Sequence, residues 1–131
     1  MTERTAACCC AALSLRITGE PLMNAVCHCA NCQRRTGSAF GWSCYFREDK
    51  VTRNTTEHGV YALEGASGRA ERHFCNRCGS TVFWRAEAFA GLIGVAGGCL
   101  SGEDVGEPTV SASEANRRAW VAVPESWLHA P

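Results

Sequence analysis

Cys27, Cys29 and Cys32 place three thiol side chains within six residues, at C-x-C-x-x-C spacing. Sulfur ligands suit zinc. Three protein ligands with a free fourth position form the pattern of a catalytic zinc. Such a zinc can hold a substrate thiolate, polarise a carbonyl or lower the pKa of a bound water. Cys27, Cys29 and Cys32 are therefore expected both as ligands of a zinc and as the catalytic residues. Two alternatives stay open. The site is closed by a fourth ligand (His28, His58 or His73), or the thiols hold no metal and do redox chemistry. An extended backbone would turn His28 away from its neighbours' sulfurs.

A second set of cysteines reads differently. Cys75-Asn76-Arg77-Cys78-Gly79 is a tight knuckle. Two ligands from one turn fix half a tetrahedron, backbone N–H groups can donate to the thiolates, and Gly79 lets the chain turn sharply. Cys8 and Cys10, at the start of the first expected strand, supply the partner pair. Four thiolates leave no open position, so Cys8, Cys10, Cys75 and Cys78 are expected to hold a structural zinc that staples the N-terminus to mid-chain. Cys9, facing the other way in an extended strand, is read as a non-ligand, with replacement of Cys8 or Cys10 as the alternative. Cys44 and Cys99 stand alone in apolar strands and are read as core packing. About two zinc ions per chain follow, the second one labile.

Disulfides are the competing explanation for ten cysteines in 131 residues. Seven of the ten lie in C-x-C or C-x-x-C spacings, and a bridge between cysteines two apart closes a strained ring. Met1 to Thr5 precedes no apolar signal-peptide core, and no run of about 18 apolar residues could span a membrane. The expectation is a cytoplasmic protein with reduced thiols. Lys plus Arg equal Asp plus Glu at 13 each. That balance argues against a nucleic-acid partner, which calls for a basic face.

The elements that must position these residues read as mainly β, with little helix, in one domain over residues 1–131 (core about 5–125). Leu13, Leu15 and Ile17 alternate with polar residues, the period of a half-buried strand. Gly19 to Pro21 turns the chain, and Leu22 to Val26 leads into Cys27. Ala30 to Thr36 predicts a short helix stopped by Gly37. Ala39 to Phe46 predicts a buried strand. Val51 to Thr56 and Val60 to Leu63 predict a hairpin around His58-Gly59. Arg69 to Phe74, Thr81 to Arg85 and Leu92 to Cys99 predict further strands. From Gly102 onward the tail is expected to be irregular, with one helical turn near Ser113 to Arg118.

Cys8-Cys9-Cys10, the run from Cys27 to Ser38, Phe74 to Ser80, Gly98-Cys99-Leu100 and Trp120 appear in an ordered combination that resembles the CENP-V/GFA family. The family is named for a glutathione-dependent formaldehyde-activating enzyme. The resemblance implies a β-tent fold, with antiparallel sheets meeting around a structural zinc on Cys8, Cys10, Cys75 and Cys78. It implies a second zinc on Cys27, Cys29 and Cys32. The implied activity is that of a carbon–sulfur lyase on a thiol–aldehyde adduct, glutathione plus formaldehyde giving S-hydroxymethylglutathione or a related adduct. Ala11 and Ser101 depart from the common pattern without removing a ligand. Glutathione carries two carboxylates, which Arg34 and Arg35 would pair; a solvated helix face is the alternative. Trp42 would wall the pocket, or simply pack in the core. A different class of function, a non-catalytic zinc module for protein interaction, would leave the second site filled or metal-free.

Overall fold

A computed structural model describes residues 2–54, 56–65, 68–101 and 105–131. Thr55, in one expected strand, and Gly102, where the irregular tail was expected to begin, lie outside them. In chain order the strands are β1 (Glu3–Ala7), β2 (Ser14–Thr18), β3 (Met23–Cys27), β4 (Gly41–Arg47), β5 (Val51–Arg53), β6 (Gly59–Gly65), β7 (Gly68–Phe74), β8 (Thr81–Ala86), β9 (Leu92–Ala96), β10 (Leu100–Ser101), β11 (Val110–Ala112) and β12 (Leu128–His129). One α-helix, α1 (Ala30–Thr36), interrupts them between β3 and β4. The molecule is mainly β with one short helix among the described residues, consistent with a β-tent.

Two sheets form. The smaller has the order β10-β1-β2-β5, and the larger β12-β11-β3-β4-β9-β8-β7-β6. Leu15 and Ile17 of β2 are buried while Arg16 between them is exposed, so the period-two reading holds. With Leu13 they pack against Cys44 and Phe46 of β4 and Ile93 and Val95 of β9 in one apolar cluster. Each fully buried side chain of this size contributes about 1.5–3 kcal/mol relative to exposure. Cys44 belongs to this core at 0% exposure, and Cys99 packs partly buried against it.

Successive strand residues point to opposite faces, and the larger sheet uses both. Cys44, Phe46, Ile93, Val95 and Phe83 face the core. In register on the other face run Met23, Tyr45, Gly94, Trp84 and Arg72, one from each of β3, β4, β9, β8 and β7. Helix α1 is attached to this second face: Arg72 Nη2 on β7 donates to Asn31 of the helix. Gly37 caps α1 in the left-handed region (φ 64°), as the sequence predicts.

Several expectations are corrected. Val51–Arg53 and Gly59–Gly65 do not pair with each other: β5 joins β2 in the smaller sheet, and β6 pairs with β7 in the larger. Cys8 to Cys10 do not begin a strand but turn between β1, which the sequence reading missed, and β2, which it identified. The tail is not wholly irregular, since Val110–Ala112 pairs parallel to β3 and carries β12 at its other side. The expected helical turn is present as a 3-10 turn at Glu114–Asn116. Leu92 to Cys99 divides into β9 and a 3-10 turn, Gly97–Cys99.

Candidate metal centres and the adjoining cavity

The turn after β1 and the knuckle between β7 and β8 meet at the first centre. The sulfurs of Cys8, Cys10, Cys75 and Cys78 all lie within 4.8 Å of one another. Cys8 Sγ is 3.7 Å from Cys10 Sγ, which is 3.6 Å from Cys75 Sγ. Four sulfurs placed tetrahedrally about 2.3 Å from a zinc would stand about 3.8 Å apart, so the set fits that ion. All ten cysteines are free thiols. Backbone N–H groups already point at the sulfurs: Leu13 N–H donates to Cys8 Sγ and Arg77 N–H to Cys75 Sγ, each at 3.3 Å. The Ser80 hydroxyl, 3.3 Å from Cys78 Sγ, and then backbone N–H groups lower the Cys78 thiol to about 5. Backbone N–H donation from Cys78 and Arg77 lowers Cys75 as well. Cys10 moves the other way, to about 11, as backbone donation from Ala12 is outweighed by burial and hydrogen bonding with Cys75 and Cys8; a metal ion would have to displace its proton. Gly79 occupies the left-handed region (φ 80°) that the knuckle requires. Cys9 lies outside the group of four. It is exposed, and its N–H donates to Ser80 Oγ at 3.2 Å.

The second centre forms where β3 ends and α1 begins. The sulfurs of Cys27, Cys29 and Cys32 also lie within 4.8 Å of one another. Cys29 is the N-cap of α1, its sulfur accepting from Cys32 N–H at 3.3 Å. The Cys27 thiol is lowered to about 5, first by hydrogen bonding with Cys32, against the cost of burial. Cys32 moves the other way, held protonated by Cys27 and by burial. Between these two the proton is shared unevenly: it stays on Cys32, and Cys27 is the thiolate of the pair. Both cysteine clusters have the donors and spacing to hold a metal ion.

None of the three histidines joins this group among the described residues. His28 is fully buried, with Nε2 2.9 Å from Ser111 Oγ. The Ser111 hydroxyl donates to Glu114 Oε2, so it accepts from His28 Nε2–H and leaves Nδ1 without a partner among the described residues. Glu114 also accepts from Arg117 Nε and His129 Nδ1, each at 3.2 Å. This chain, buried at His28 and Ser111, anchors the loop bearing Cys27 and Cys29 to the C-terminal segment. Ser113, a non-glycine residue at φ 56° between Ser111 and Glu114 in sequence, has its hydroxyl 3.7 Å from Cys27 Sγ. His58 Nε2 and His73 Nδ1 pair with each other at 2.8 Å, and His73 stacks on Phe83 on the core side of the sheet.

The triplet opens onto a cavity of about 360 Å³ under α1, on the sheet face that carries the Met23-to-Arg72 row. Arg35 lines it, with its guanidinium 4.3 Å from the Trp84 ring centroid. Its Nη2 is buried without a hydrogen-bond partner among the described residues. Gly41 makes room for it, since a β-carbon there would overlap Arg35 Nη2. Trp84 Nε1 donates to the Tyr45 hydroxyl at 3.2 Å, and Tyr45 packs on Phe89 with centroids 4.8 Å apart. Arg34 and Trp42 lie outside this cavity. Arg34 lines a separate hollow with Arg118 and Trp120, while Trp42 donates its indole N–H to Asn24 at 2.7 Å and packs on the core. The sequence reading missed Tyr45, Arg72, Trp84, Phe89 and Ser113. The one available signal was that the segments around Tyr45 and Trp84 carry large apolar residues on both faces, which marks a sheet covered on both sides.

Among the described residues no helix is long and apolar enough to cross a membrane. A search of curated proteins found no match. Among solved structures, the crystal structure of a Rhodobacter sphaeroides protein, a structural-genomics target, matches with a TM-score of 0.60 at 20% identity; the match covers 76% of this chain and 90% of that one. At that identity the likeness speaks for the fold alone. The profile of the family described as glutathione-dependent formaldehyde-activating enzyme matches residues 3–116, and the chain belongs to that family.

Proposed function

We propose that this protein is a zinc-dependent enzyme of the carbon–sulfur lyase type, acting on the adduct of a small thiol and an aldehyde. Glutathione with formaldehyde, giving S-hydroxymethylglutathione, is the reaction the family name supplies. The observation that carries the reading is the Cys27, Cys29 and Cys32 cluster at the edge of a cavity that also holds two arginines. Three cysteines close together, with no fourth protein ligand among the described residues, leave a position for an incoming sulfur.

Zinc bound by Cys27, Cys29 and Cys32 would supply a soft Lewis acid that favours a thiolate over a thiol. The chain's own residues do the rest. Arg35 and Arg72, which both line the cavity, bind the carboxylates of the thiol substrate. Trp84 holds the Arg35 guanidinium in place by stacking. Ser113 and the His28–Ser111–Glu114 chain fix the Cys27 loop. The thiol gives up its proton and its sulfur adds to the carbonyl carbon. A C–S bond forms as the carbonyl π pair moves to oxygen, which takes up a proton. Nothing is oxidised or reduced. Holding the two partners together can lower the barrier by several kcal/mol without further chemistry. Cys8, Cys10, Cys75 and Cys78 hold the other zinc, whose role is structural.

The test is zinc content per chain under reducing conditions, with and without glutathione, alongside exchange NMR of hemithioacetal formation. The expected result is about two zinc ions per chain, one of them perturbed by glutathione, and a catalysed exchange rate. One tightly held zinc that ignores glutathione, with no catalysis, would instead favour a non-catalytic protein-interaction module.

A further inference from the structure

As the C–S bond of the proposed reaction forms, negative charge gathers on the carbonyl oxygen, and a site shielded from water must meet it with a fixed hydrogen-bond donor. The cavity beside the triplet has few to offer. Arg35 and Arg72 carry the substrate's carboxylates in the reading above. Asn31 is held by Arg72, and the Ser113 hydroxyl sits against Cys27 Sγ. Two hydroxyls of β4 that line the cavity are left, Ser43 and Tyr45.

Tyr45 is the one held in place. Its oxygen accepts from Trp84 Nε1 at 3.2 Å, its ring packs on Phe89, and the Trp84 ring meets it edge-on. A phenol oxygen that accepts one bond still has its own O–H to give. That O–H has no acceptor among the described residues. Burial raises the Tyr45 pKa above its ordinary value of 10, against the Trp84 bond, and the charges of Cys32 and Cys27 add to the rise. The phenol therefore keeps its proton and stands within electrostatic reach of the triplet. The Ser43 hydroxyl, by contrast, has no hydrogen bond among the described residues to fix its direction.

We propose, resting on the thiol–adduct reading above, that Tyr45 is a catalytic residue whose O–H donates to the carbonyl oxygen of the aldehyde, and that Trp84 is the positioning residue that aims it. Sulfur adds to the carbonyl carbon, the π pair moves to oxygen, and that oxygen takes the Tyr45 proton. The phenolate regains a proton from water, which matches the one the substrate thiol gave up. In the reverse direction Tyr45 takes the hydroxyl proton back as the C–S bond breaks.

The test follows exchange NMR of glutathione with formaldehyde on the zinc-loaded protein. Tyr45→Phe keeps the ring and removes only the hydroxyl. It should lower kcat by about 100-fold, the scale of a lost acid or oxyanion donor, with zinc content and calorimetric affinity for glutathione unchanged. Ser43→Ala should leave kcat as it is. Trp84→Phe should give a smaller fall in kcat that disappears in the Tyr45→Phe background, which a merely structural role for the indole would not produce. It decides the matter if Tyr45→Phe loses its zinc and does not fold. A kcat unmoved by Tyr45→Phe or by Trp84→Phe, or a loss that follows Ser43→Ala instead, overturns this inference and leaves the thiol–adduct reading standing. No catalysis by the parent protein overturns both together.

Discussion

The Trp84 indole lies across Gly94 on the neighbouring strand, and a β-carbon at Gly94 would overlap the ring. The same ring donates to Tyr45 and carries the Arg35 guanidinium on its face. Three cavity groups therefore depend on the absence of one methyl. Gly94→Ala should destabilise the fold by about 1–3 kcal/mol, the usual cost of overpacking a filled site. It should also raise KM for glutathione, because Arg35 loses its support. Urea unfolding and steady-state kinetics on the one variant check both effects. An unchanged stability would mean that the indole has room to move.

The two cysteine sites should respond differently to loss of one sulfur. Cys8→Ser removes one of the four sulfurs that meet between the β1–β2 turn and the β7–β8 knuckle. Zinc binding at sites of this kind contributes on the order of 10 kcal/mol to folding, so this variant should lose its cooperative unfolding transition. Cys32→Ser should keep that transition, lower the zinc content from about two to about one per chain and abolish turnover. Elemental analysis with thermal unfolding separates the two. A Cys32→Ser protein that fails to fold would make the triplet a structural centre.

Arg35 and Arg72 are assigned to binding rather than to bond making. Arg72→Met should raise KM for glutathione by about tenfold with kcat little changed, as expected when a charge-assisted contact common to ground and transition states is lost. An effect confined to kcat would place the arginine at the reacting atoms instead.

The buried histidines set an acid limit. Burial, opposed by Glu114, holds His28 below its ordinary value of 6.5, and burial followed by the nearby His58 lowers His73 in the same way. As pH falls through 6.5 the unfolded chain takes up these protons and the native chain does not. Stability is therefore full above 6.5 and declines below it, down to the folded values. The urea midpoint should fall between pH 7.5 and 5.5. His28→Gln should flatten that slope, even if it lowers the midpoint throughout. Zinc content measured at each pH separates this effect from metal loss.

Much of this architecture can be read from spacing. The C-x-C and C-x-x-C pairs place the two cysteine sites, because ligands of one site come from short turns whose geometry is local. The alternation around Leu15 and Ile17 identifies β2 for the same reason. What escapes is information carried by register. Tyr45, Trp84 and Arg72 are far apart in sequence and share one face only because Gly94 pairs with both Tyr45 and Trp84. The expected hairpin around His58 fails because β5 has a better partner in β2, a choice made between sheets. Strands β11 and β12 are two or three residues long, too short for a period to show, and they exist because β3 offers an edge.

The four-sulfur centre draws on both ends of the first 78 residues, Cys8 and Cys10 at one side and Cys75 and Cys78 at the other. During synthesis the early pair therefore leaves the ribosome long before its partners exist. Until the knuckle emerges, Cys8 and Cys10 sit on a nascent chain as unprotected thiols, open to oxidation or to capture by the wrong metal. Any metal loading of this centre would thus be coupled to the progress of translation, with the N-terminal pair waiting longest for its partners.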